Sequence, residues 1–78
     1  LQLAFDAIRK GGNMSCIVNA ANEIVNAGFR KGECGFLQMA DIIEETMAKA
    51  TFDSNPDLDV YLQTDAEARR IATELMFK

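Results

Sequence analysis

The chain has 78 residues, a net charge of −4, and 49% hydrophobic and 26% charged residues. That length suits one small domain, in which folding hides roughly 60% of the unfolded chain's surface, so the core is thin unless a partner surface adds to it. The composition excludes disorder, the interspersed charges exclude the basic stripe of a nucleic-acid binder, and no apolar run approaches the ~20 residues of a membrane span.

A first helix is predicted over residues 1–10. Leu1, Ala4, Phe5 and Ile8 follow the i, i+3, i+4, i+7 spacing of one apolar face. Gln2, Asp6, Arg9 and Lys10 take the other side, and Gly11-Gly12 stops the helix because glycine readily adopts the left-handed conformation past a helix end. Leu1 already stands in the apolar phase, with no initiator Met or signal pattern before it, so the chain is expected to be a piece of a longer protein.

A second helix is predicted over residues 13–31, with Asn13 as N-cap. Ile17, Ala20, Ala21, Ile24, Val25, Gly28 and Phe29 make its apolar surface, and the small Ala20, Ala21, Ala27 and Gly28 permit a neighbour to come close. Gly32 ends it and Gly35 occupies the following turn. A third helix, residues 37–50, has Ala40, Ile43, Met47 and Ala50 on one face with Phe36 before them. Asp41, Glu44 and Glu45 suit the positive end of its dipole, and Glu45 pairs with Lys49 four residues on.

Residues 51–56 are the one long break. Pro56 disfavours helix at Asn55, and residues 57–62 read as a short helical turn. The last helix starts near Thr64, where Thr64-Asp65-Ala66-Glu67 matches a capping box. Ala68, Ile71, Ala72 and Leu75 are its buried stripe, and Arg70 faces Glu67 and Glu74 outside. No segment alternates with period two. The expected fold is all-α, a small antiparallel four-helix bundle forming a single domain over residues 1–78.

Chemistry is sparse. There is no histidine, which removes the commonest general base and transition-metal ligand. Cys16 and Cys34 form no CxxC pair and are expected to be free thiols in a reducing, cytosolic setting. Asp53-Ser54-Asn55-Pro56-Asp57 starts like a calcium loop, but Leu58 stands at the sharp-turn glycine and Thr64 at the bidentate glutamate. Ser54 is followed by Asn55-Pro56, unlike the apolar residue that follows a carrier-protein attachment serine. The carboxylates lie on helix exteriors without the convergence of an acid/base pair, and Gly11-Gly12 has no strand before it to make a phosphate cradle.

The unusual feature is a polar stripe of Asn19, Asn22, Glu23, Asn26 and Arg30 on an otherwise apolar helix. Asparagine costs roughly 0.5 kcal/mol per helical position against alanine. An amide both donates and accepts, so such a stripe serves either as a solvated face or internal clamp, or as a contact with another domain. Asn19, Asn22, Glu23 and Asn26 are the candidate interdomain residues. Amides do not titrate, which argues against catalysis.

Gly11-Gly12-Asn13-Met14-Ser15-Cys16-Ile17-Val18-Asn19-Ala20-Ala21-Asn22-Glu23 resembles the segment that opens the C-terminal domain of 1-deoxy-D-xylulose 5-phosphate reductoisomerases. The similarity continues through Phe29, Gly32 and Gly35-Phe36-Leu37-Gln38-Met39-Ala40 to Thr64-Asp65-Ala66-Glu67-Ala68-Arg69. Ser15 stands where many members have proline, Cys34 where an aliphatic residue is common, and Leu37 where a polar residue would cap the third helix. The resemblance implies a three-part enzyme that rearranges and reduces 1-deoxy-D-xylulose 5-phosphate to 2-C-methyl-D-erythritol 4-phosphate in the non-mevalonate isoprenoid route. It implies NADPH and a divalent metal (Mg²⁺, Mn²⁺ or Co²⁺), held by the dinucleotide-binding and central domains, and a dimer formed through the central domain. None of those motifs lies in this chain, so the resemblance implies no catalytic, metal or cofactor residue here and an inert fragment that braces the other domains in the cytoplasm. The competing class is a free-standing helical interaction module, which calls for an exposed apolar groove and a natural start near Leu1.

Overall fold

The computed structural model describes residues 2–78. It contains four helices: α1 (Gln2–Lys10), α2 (Met14–Arg30), α3 (Phe36–Lys49) and α4 (Leu58–Met76). Among the described residues there is no strand, and no helix is long and apolar enough to cross a membrane. The all-α expectation therefore holds. Leu1, which the periodicity assigns to the first helix, lies outside the described residues.

α2 is the central helix. Three successive contacts tie it to α4: Cys16 Sγ donates to the Tyr61 carbonyl, Glu23 pairs with Arg69, and Gly28 lies against Met76. The two helices therefore advance in the same direction. α3 runs back along α2, since Phe36 meets Phe29 at one end while Thr51, just past α3, meets Asn13 at the other. α1 packs on α2 and lightly on α3, and makes no contact of note with α4.

The core forms two adjoining clusters. Ile17, Ala20, Ala68 and Ile71 join Ala7, Met14 and Ala50 in one, and Ala21, Val25, Ile42, Ile43 and Ala72 join Cys34 in the other. The small residues of α2 are what let α4 approach. A Cβ on Gly28 would run into the Met76 sulfur.

Three local expectations are corrected. The first concerns α1, whose Ala4, Phe5 and Ile8 are exposed while Ala7 is buried and Leu3 half-buried. A nine-residue helix has one line of contact with α2, and the 3/7 line takes it, leaving the flanking apolar positions open.

The second concerns α4, which is one helix from Leu58 and not a short turn followed by a helix from Thr64. The Asp57 carboxylate accepts from the Val60 amide at 2.9 Å and caps the helix there. Thr64 is buried inside it, and Glu67 reaches Thr51, whose amide donates to it at 2.6 Å. Among the described residues Arg70 consequently pairs with Glu74 and not with Glu67.

The third concerns Asn13, which sits at the N-cap position of α2 but makes no side-chain cap hydrogen bond. It is 0% exposed, and its amide serves three other groups. Nδ2 donates to the Thr51 carbonyl and to Thr64 Oγ1, each at 2.9 Å, while Oδ1 accepts from the Asp53 amide at 2.9 Å. The Asn13 backbone amide also donates to the Asp53 carbonyl at 3.0 Å. Both donors and the acceptor of the side chain are thus satisfied inside the protein. Gly12, at φ +55°, makes this possible: a Cβ there would strike the Asp53 carbonyl oxygen and the Ser54 Cα.

Candidate docking surface

A groove of about 680 Å³ opens between α1 and α3 above the outer face of α2. Its position follows from the packing just described. α1 is short and touches α3 only lightly, so the two diverge over α2 and leave Val18 and Ile43 at the bottom. Ala4 and Ile8 form one wall, and Phe36, Leu37 and Ala40 the other. Among the described residues no charged side chain lines it, and its polar members are Ser15, Asn19 and Asn22. The walls stand open, with Ile8 at 69%, Phe36 at 71% and Leu37 at 85% exposure. Contiguous exposed apolar side chains of this kind mark interaction surfaces on soluble domains.

The polar stripe of α2 divides at this groove. Asn19 and Asn22 face it. Among the described residues the Asn19 side chain makes no hydrogen bond, whereas Asn26 Nδ2 donates to the Asn22 carbonyl at 2.8 Å and to Asn22 Oδ1 at 2.9 Å. That pair holds Asn22 in place and leaves its own Nδ2 available. Glu23 turns the other way, to Arg69 Nη2 at 2.7 Å. Arg69 also donates through Nε to Asp65 at 2.9 Å, and these two carboxylates hold its guanidinium firmly protonated. Glu23 therefore ties α2 to α4, while the asparagines nearest the groove remain for an outside contact.

The groove was not visible to periodicity. The signal that could have disclosed it is the apolar start of α3, where Phe36, Leu37, Met39 and Ala40 surround the helix on more sides than a single core face requires.

Among the described residues no three His, Cys, Asp or Glu side chains lie close enough to hold an ion. The calcium-like stretch spends its carboxylates on backbone: Asp53 Oδ1 accepts from the Asn55 amide at 2.9 Å, and Asp57 caps α4. Among the described residues the groove offers no cationic side chain to a phosphate. Cys16 and Cys34 are free thiols. Burial first, and the Asp65 carboxylate second, push the Cys16 thiol above its ordinary value of 9.0, with Arg69 opposing them, which disfavours a reactive thiolate.

The four helices and the exposed apolar groove between two of them define a small all-α domain with a candidate docking surface. The comparison with known proteins makes this particular. The family model described as DXP reductoisomerase C-terminal domain matches residues 1–71. The 1-deoxy-D-xylulose 5-phosphate reductoisomerase of Bacteroides fragilis is 55% identical over all 78 residues, which cover 20% of that protein. Those of Bacteroides thetaiotaomicron and Listeria monocytogenes are 57% and 43% identical over 76 residues, again 20% of each protein. The chain belongs to the 1-deoxy-D-xylulose 5-phosphate reductoisomerase family, within its C-terminal domain, and spans about a fifth of the length of the curated relatives it matches.

Proposed function

We propose that this chain is the bracing C-terminal domain of an enzyme that converts 1-deoxy-D-xylulose 5-phosphate to 2-C-methyl-D-erythritol 4-phosphate for isoprenoid synthesis in the cytoplasm. NADPH and a divalent metal (Mg²⁺, Mn²⁺ or Co²⁺) are bound by the remaining domains, and the enzyme dimerises through its central domain. The observation that carries this reading is the match to reductoisomerases along the whole chain. The dispersed carboxylates and uncharged groove support a structural role, since proton transfer, hydride transfer and phosphate binding all need convergent polar groups.

The exposed groove is also what a free-standing interaction module would present. Family membership favours the brace, because the relatives carry this segment as part of a much longer chain.

Reconstitution tests the proposal. The rest of the enzyme is expressed without this segment, and NADPH oxidation is followed with substrate and Mg²⁺, before and after adding the 78-residue chain. Weak activity that rises on addition is expected. Full activity of the remainder alone defeats the bracing role, and NADPH oxidation by this chain alone defeats its reading as non-catalytic.

A further inference from the structure

We propose that the groove between α1 and α3 is where the rest of the reductoisomerase polypeptide docks, through an uncharged apolar segment carrying a polar group opposite Asn19 and Asn22. This rests on the bracing reading above and assigns it a surface.

Connectivity comes first. The chain covers 20% of the relative from Bacteroides fragilis, so about 80% of that protein lies outside it, and the C-terminal description of the matched family region puts that body on the α1 side. α1 is the element nearest that body along the chain, and α1 itself supplies one wall of the groove.

Size also favours a tethered occupant. Thirteen of the described residues line the groove, whereas a stable interface between separate proteins uses about 20–30 on each side. A covalently linked segment is present at an effective concentration on the order of millimolar, so a contact of this size suffices for it. A free partner or a second copy must offset the full entropic cost of association.

Charge sets the chemistry. The long-range ion pair and those of α4 lie away from the groove, at Glu23–Arg69, Asp65–Arg69 and Arg70–Glu74. A charged occupant would lose its hydration without compensation. The Asn19 amide, with no hydrogen bond among the described residues, donates and accepts at once and so fixes the register of a backbone or side-chain amide laid beside it.

Thiol accessibility in the whole reductoisomerase carrying this segment tests the assignment. Leu37→Cys and Ile8→Cys report the two walls, and Leu62→Cys, at a position 64% exposed on α4, reports a surface outside the groove. Each is labelled with a neutral maleimide, and the modified peptide is followed by mass spectrometry, which separates it from Cys16 and Cys34. Both wall thiols are expected to react at least tenfold more slowly than the Leu62→Cys thiol, and all three alike in urea. Equal native rates for the three overturn the proposal. Protection that disappears on dilution, together with a halving of mass by light scattering, also overturns it by making a second copy the occupant. If removing the segment impairs activity but the wall thiols label freely, bracing stands and only the groove assignment falls. If removal has no effect, the bracing reading itself fails.

Discussion

Asn13 and Thr64 are joined by a fully internal hydrogen bond, Nδ2 to Oγ1 at 2.9 Å, across 51 residues of sequence. The same amide holds Thr51 and Asp53. One side chain thus fastens the α1–α2 junction to the α3–α4 connection and to the body of α4. Replacing Asn13 by Ala strips partners from three groups at once. A buried polar group left unpaired costs about 1–3 kcal/mol, so a loss of about 3 kcal/mol is expected, large for so small a domain. Urea unfolding monitored by circular dichroism measures it. A loss below about 1 kcal/mol would show that water replaces the amide without difficulty.

Gly11 and Gly12 both have positive φ, 74° and 55°, but they differ in surroundings. Space is open around a Cβ at Gly11, whereas one at Gly12 meets the Asp53 carbonyl and Ser54 backbone. Gly11→Ala should cost about 1 kcal/mol from backbone strain alone. Gly12→Ala should cost at least twice that, because backbone atoms must also move. Equal losses in melting experiments would mean that the loop of residues 51–54 yields freely.

The start of α4 rests on Asp57. Asp57→Ala should remove about 1 kcal/mol of stability, and Asp57→Asn should keep most of it, because an amide oxygen also caps. Amide exchange localises the effect, with Val60 losing protection first. If Val60 keeps its protection in the Ala variant, the helix starts elsewhere.

Cys16 should be a slow thiol. Its folded-state pKa is raised above 9.0, chiefly by burial and then by Asp65. A raised pKa means that the folded chain holds the proton more tightly than the unfolded one. The associated stability is therefore complete below the unfolded value and declines as pH climbs through the folded one. Iodoacetamide labelling of Cys16, followed across pH 7–10, should give a midpoint above that of the urea-unfolded chain. A midpoint at or below the unfolded one contradicts this account.

The positions of α2 and α3 were legible to within one residue at each end. Their breakers are local: Gly11-Gly12, Gly32 and Gly35 act through their own backbones. The Glu45–Lys49 pair, at 3.7 Å, was legible for the same reason. The start of α4 was misplaced because Thr64 and Glu67 satisfy the local capping pattern, while their actual partners, Asn13 and Thr51, lie just before α2 and just past the end of α3. The α1 face was misassigned for a related reason: Ala7 carries little hydrophobic signal of its own, yet its small size is what permits contact with α2.

Of the candidate interdomain residues, the sequence could mark Asn19, Asn22, Glu23 and Asn26 as one stripe, because helical periodicity is a local property. It could not separate them. Asn19 and Asn22 face the groove and Glu23 belongs to Arg69 only because α1 and α4 occupy opposite flanks of α2.

The sequence by itself determined the helical class, the breaks between helices and, through Asn-Ala-Ala-Asn-Glu and its neighbours, the family. These depend on residue type and spacing along one chain. The tertiary structure alone decided that Asn13 clamps three segments, that α2 and α4 run in the same direction, and that an uncharged groove lies between α1 and α3. Each of these depends on which distant segments meet, and short-range spacing carries no record of that.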